Sequence, residues 1–374
     1  MPATPQPVLS TGLLMPGDRV ARSSVPVWAA RLRKRVAQVS AGVRRTWDLA
    51  EGVGRVANNA ALIAALQGNV DRAASLCRAQ IRWQDRTSRR AGNTRIARLG
   101  VQPWVNLGRL QAQAGDWEGA LERFARLAYP GADGWLCLGT LRVPPTGAEG
   151  APEGFDGFLH SAYVADSLKA LLINGRYAET MAFAARQAAD HGDNPVLHEA
   201  RVVAAGRQGE SDAAAALARE GRTRWRGWAR AVFSVRLAEV LACAGQREEA
   251  CSELARVAAT FGSLSHKVRS RLEHLFIIVR AAQTCAELGM REEAAGLASA
   301  AAEGALVAED EILRIESLRV VCAARPGEDT AAWRTLEALQ TGTGYARYRR
   351  NAQPPMHDEE ADQLFEELDV LFAD

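Results

Sequence analysis

The side chains in this sequence best suited to hold a metal or attack a substrate are six histidines and six cysteines. Their spacing argues against both roles. His160, His191, His198, His266, His274 and His357 are dispersed, and no two stand at an interval that would bring both to one ion. Cys77, Cys137, Cys243, Cys251, Cys285 and Cys322 stand singly, without a CxxC; five lie in apolar helical stretches, where a thiol packs as a small hydrophobe. Ser161 follows His160, but neighbours on a helix point in different directions and no third triad member is evident. HExxH and GxxxxGK[ST] are missing, and no GxGxxG follows an expected strand. The acidic run "HDEEADQLFEELD" lacks the central glycine of a calcium loop and reads as a solvated helix face. The expectation is therefore no catalytic residue, no cofactor and no metal, with an enzyme kept as a lesser alternative.

What the sequence does carry is helix. Alanine is abundant while aromatic residues make up 6% of the chain, a composition that suits close helix packing better than a β-sandwich. Gly68, Gly115, Gly175, Gly209, Gly245, Gly289 and Gly327 each end an apolar-periodic run and precede a second one. Five residues after them stand Ala73, Ala120, Thr180, Ala214, Ala250, Ala294 and Ala332. Nine residues after them stand Cys77, Phe124, Ala184, Ala218, Leu254, Ala298 and Leu336, so small and apolar positions share one helix face. The glycine spacings are 47, 60, 34, 36, 44 and 38, a period near 34 with insertions.

The stretch "WVNLGRLQAQAGDWEGALERF" resembles a tetratricopeptide repeat. Trp104, Leu107, Gly108, Gly115, Trp117, Ala120 and Phe124 stand where that family's pattern wants a large residue, Leu, Gly, a turn, an aromatic, Ala and Phe, and Pro130 closes the unit. The match is specific over 101–134 and looser over about 54–341, with Arg201 and Arg319 standing where Leu is usual. The resemblance implies an all-α, right-handed superhelical solenoid of six or seven antiparallel helix pairs. It also implies a concave groove, lined by the first helix of each pair, that grips peptides through polar residues. Carried over by position, that groove takes Arg55, Asn58 and Asn59, then Asn106 and Arg109, Asp166 and Lys169, Arg236 with Glu239, and Arg280 with Gln283. The family's carboxylate clamp, which needs a stricter set of basic residues, is not reproduced.

Around that array the expected organisation is a disordered segment at 1–24, a basic helical extension at 25–53, a linker at 342–356 and an acidic helix at 357–374. Leu364, Phe365, Leu368, Leu371 and Phe372 give this last helix an apolar face for capping or docking. Glycine-rich residues 131–158 interrupt the repeats, with "WLCLGTLRV" as a short extended piece within them.

Net charge is +2, but residues 1–100 hold 17 basic and 5 acidic residues, whereas 301–374 hold 7 and 16. Arg31, Arg33, Lys34, Arg35, Arg44 and Arg45, with Trp47 and Trp83 interleaved farther on, are candidate nucleic-acid contacts. Alternatively the basic head meets the acidic tail, within one molecule or head-to-tail between two. No stretch is long and apolar enough for a transmembrane helix and no secretory signal is evident, so the expected location is cytoplasmic. The resulting functional expectation is a non-catalytic scaffold or adaptor for a protein or peptide, perceived as the sensing part of a regulatory system. The alternatives are a nucleic-acid-associated regulator using the basic head, and a small-molecule binder or enzyme with a pocket under the 131–158 loop near Trp135, Cys137 and His160.

Overall fold

The computed structural model describes residues 9, 13, 30, 32–34, 37, 46–66, 68–144, 155–264, 271–327, 330–342 and 359–373. Among them the chain is all-α apart from one hairpin. In order come α1 (Thr46–Leu66), α2 (Val70–Ala91), α3 (Arg95–Arg98), α4 (Val101–Gln113), α5 (Trp117–Ala128), β1 (Leu136–Leu138) and β2 (Leu141–Val143). Then follow α6 (Phe155–Ile173), α7 (Tyr177–His191), α8 (Pro195–Arg207), α9 (Ser211–Arg224), α10 (Gly227–Cys243) and α11 (Arg247–Ser263). The last are α12 (Leu272–Glu287), α13 (Arg291–Val307), α14 (Glu311–Ala324), α15 (Thr330–Gly342) and α16 (Glu359–Ala373).

The turn glycines do what their spacing predicts. At Gly115 φ is +89°, a conformation that costs a side chain dearly, and Asp116 N–H closes the turn by bonding back to Gln111 C=O at 3.0 Å. Asp116 then caps α5, its carboxylate accepting from Gly119 N–H at 3.0 Å. The other six glycines of the series share the positive φ. All seven residues five positions later are buried, and so are all seven residues nine positions later. Gly108 is small because α5 touches α4 there: a Cβ at that position would stand 2.4 Å from Phe124 Cε1. One further turn escapes the glycine pattern. Glu309 takes φ +56° between α13 and α14, with Asp310 N–H bonded to Ala305 C=O.

The chain divides into two compact units. The first comprises 24–170 with 343–374, the second 1–23 with 171–342, and the cut falls within α6. The array expected over 54–341, with its insertion at 131–158, thus spans parts of both units. In the first unit α1 packs on α2, α4 on α5, and first helix α1 also touches first helix α4. In the second, α8/α9, α10/α11, α12/α13 and α14/α15 pair in the same way, and first helices α8, α10, α12 and α14 touch in succession.

Helix α1 runs from Thr46 to Leu66 and so continues across residue 53, where the expected basic extension was to give way to the array. The interruption is shorter, because α6 already starts at Phe155. Its extended piece is an antiparallel hairpin pairing Leu136 with Val143 and Leu138 with Leu141. Leu136, Leu138, Leu141 and Val143 are all buried, so the hairpin contributes to the first unit's core. Gly100 leaves room for it: a Cβ there would meet Leu141 Cδ2 at 2.2 Å. Within 1–24, expected to be disordered, Leu9 and Leu13 are the described residues and both are buried; the rest of that segment lies outside the described residues.

Candidate functional site

In the first unit five of the expected groove residues, Asn58, Asn106, Arg109, Asp166 and Lys169, meet in one polar strip across α1, α4 and α6. Asn58 on α1 accepts from Asn106 Nδ2 on α4 at 3.2 Å. Asn106 also accepts from Gln102 at 3.1 Å and from Arg109 Nη1 at 3.2 Å. Arg109 forks onto Asp166 of α6, with Nε–Oδ1 at 2.8 Å and Nη2–Oδ2 at 3.0 Å, and Lys169 Nζ lies 3.8 Å from the same carboxylate. Burial alone would raise the Asp166 carboxyl, but Arg109 and Lys169 outweigh it and hold the group below the usual carboxylate range. The cations keep access to water: Arg109 is 44% exposed and Lys169 37%, against 3% for Asp166. Arg55 is exposed and pairs with Glu51 at 2.6 Å. Asn59 is nearly buried and donates to Arg55 C=O at 3.1 Å. The strip is thus an anchored row of carboxylate, amides and half-solvated cations.

The second unit builds a comparable strip and seals it. Arg236 of α10 has no exposed side-chain surface; it donates to Glu199 of α8 at 2.9 and 2.8 Å and to Glu239 at 2.7 Å. Burial would lower its pKa, but Glu239 and Glu199 outweigh the effect and keep the guanidinium charged. Arg280 of α12 donates to the other oxygen of Glu239, and reaches Gln283 at 3.3 Å and Glu287 at 3.5 Å. Burial pushes the Glu287 carboxyl up, and Glu287 Oε2 is enclosed with no hydrogen-bond partner among the described residues. The expectation that Arg236 touches a ligand is corrected, because its donors are consumed inside the unit. Arg280, 14% exposed, is largely spent on Glu239.

Sequence reasoning missed Glu199 and Glu287. The expected residues from Asn106 to Arg280 stand nine or six positions before their turn glycine, whereas Glu199 stands ten before Gly209 and Glu287 two before Gly289. Asn58, ten before Gly68, was the available hint to that second register.

The basic head and acidic tail meet within the first unit. Helix α16 packs on α2 and α1, burying Leu364, Phe365, Leu368 and Phe372 and half-burying Leu371. Arg33 grips Glu367 at 2.7 Å, Arg72 grips Asp369 at 2.6 Å, and Arg86 donates to the carbonyl of Phe372 at the helix's C-terminal end. Trp83, an expected stacking platform, is buried against Phe372 with ring centroids 6.0 Å apart. Trp47 lies beneath Arg95. Lys34 is exposed; Arg31, Arg35, Arg44 and Arg45 lie outside the described residues.

No protein-family model matches this chain, and no curated protein matches its sequence. The chemistry of the site therefore rests on its own geometry. At the hairpin, Cys137 is exposed and Trp135 lies under Arg142, while His160 packs against Tyr163. The Cys77 and Cys285 thiols are pushed up to about 12 by burial, which keeps them protonated and unreactive. Among the described residues no helix is long and apolar enough to cross a membrane.

Proposed function

We propose that this chain is a tetratricopeptide-like scaffold or adaptor of the cytoplasm, a right-handed array of antiparallel helix pairs whose first helices line a concave groove for a protein or peptide. Its role is recognition rather than catalysis, as the sensing part of a regulatory system. The supporting observation is the strip from Asn58 through Asn106, Arg109 and Asp166 to Lys169, whose anchoring atoms come from α1, α4 and α6 and whose cations remain open to water. Amides of this kind offer a peptide backbone both a donor and an acceptor, and the cations take a carboxylate. The nucleic-acid reading has less support, since Arg33, Arg72, Arg86 and Trp83 are engaged by the acidic helix α16.

Affinity purification of the full chain from its native cell, with and without nuclease, tests the reading. A protein partner retained after nuclease is the expected result. Loss of every partner on nuclease treatment, or turnover of a metabolite by the purified chain without any protein partner, overturns it.

A further inference from the structure

Leu9 sits in a Pro-, Ser- and Gly-rich stretch with no helical pattern of its own, yet it is only 3% exposed, and Leu13 only 7%. Its seat lies in the second unit on first helices α8 and α10. Gly206 makes the space: a Cβ there would stand 2.5 Å from Leu9 Cδ2, with Val240 Cγ2 bounding the same spot at 3.6 Å. The backbone of Leu9 is engaged as well. Arg207 Nη1 reaches its carbonyl at 3.5 Å, and its N–H faces the Cys243 thiol. Arg207 is itself held in place by donating from Nε to Tyr177 Oη at 3.1 Å. Cys243 also feels the charges of Glu239, Glu287 and Arg207. A side chain in an apolar notch, with its own backbone groups met by polar side chains, is how an extended peptide is recognised.

We propose that the α8–α10 face around Gly206, Arg207 and Cys243 is a seat for a leucine-bearing peptide, and that the chain fills it with its own Leu9. An outside peptide therefore binds there only by displacing the resident one. The inference rests on the first-helix faces being peptide-binding, and adds the ligand chemistry and the resident competitor. A segment of the same chain competes at a concentration fixed by its covalent connection, however dilute the protein, and so hides the seat from free peptide.

The test uses the full chain and a fluorescently labelled synthetic peptide, PQPVLSTGLLMP, spanning residues 5–16, read by anisotropy. The Leu9→Asp/Leu13→Asp chain should bind this peptide at least tenfold more tightly than the unaltered chain does. The peptide carrying the same two aspartates should bind neither. Leu9→Ala, which trims the resident side chain without placing a charge, guards against misfolding of the double variant and should tighten binding about threefold. Equal binding to all chains, or no binding to a Leu9→Ala chain with unaltered circular dichroism, overturns the proposal. Capture of a native partner equally by unaltered and Leu9→Ala chains, with no peptide binding, removes the resident-segment inference while leaving the adaptor reading standing. Peptide binding without any native partner does the reverse.

Discussion

The two polar strips begin from similar sequence and end in opposite physical states. In the first unit Arg109 meets one buried carboxylate and keeps nearly half its surface in water; in the second, Arg236 meets two carboxylates and keeps none. The difference lies in what the neighbouring first helix supplies. Helix α6 offers Asp166, a short acid, whereas α8 and α10 offer Glu199 and Glu239, whose longer side chains close over the guanidinium from both sides. One strip therefore keeps its cations in contact with water, while the other is closed and fastens helices together.

The largest test of this contrast is Arg236→Met. Leaving Glu199 and Glu239 buried without their main partner should cost about 3–5 kcal/mol in urea unfolding, because stranded charge costs more than the pair was worth. Adding Glu199→Met should recover a good part of that loss, and a double variant no better than the single would break the comparison. Next comes Asp166→Asn, expected to cost about 1–3 kcal/mol at pH 7. Its sign with pH follows from the depressed carboxyl: Asp166 stabilises the fold above its unfolded pKa of about 3.9, and that contribution is lost as pH falls through the lower folded value. Unaltered and Asp166→Asn chains should thus converge in stability as the pH falls below that lowered folded value.

Glu287 should behave in the opposite sense. Its folded pKa is raised by burial, so its favourable contribution is present below the unfolded value of about 4.3 and lost as pH rises. Glu287→Gln should slightly stabilise the chain at pH 7 and do nothing at pH 4, as read from denaturation midpoints; a clear loss at pH 7 would contradict the assignment. The smallest effect belongs to the exposed ion pairs of α16. Arg33→Ala should cost about 0–1 kcal/mol and vanish in high salt.

Much of the architecture was legible because glycine is so specific a signal. Seven glycines placed seven left-handed turns, and the buried positions five and nine residues later followed from helix geometry. The turn at Glu309 was not legible, since a glutamate in that conformation looks like any helical glutamate. The strip residues were named from position alone, and position cannot distinguish Arg109 from Arg236. That distinction needs Asp166 and Glu199, which lie 57 and 37 residues away along the chain. Apolar faces were readable on α16, but its docking against Arg33, Arg72 and Trp83 depends on contacts roughly 300 residues apart and appeared only as a charge asymmetry. Leu9 gave no signal at all: its burial is decided by the missing side chain of Gly206.

The most direct measurement is the affinity of a nuclease-resistant partner for chains altered on one helix layer at a time. Arg55→Glu/Lys169→Glu changes the exposed Arg55 of α1 and the half-exposed Lys169 of α6, on the side of the strip; Arg82→Glu/Arg90→Glu/Arg126→Glu changes exposed cations of second helices α2 and α5. The account predicts at least a tenfold loss for the first-helix variant and little change for the second-helix one. Equal losses, or a loss confined to the second helices, would contradict it.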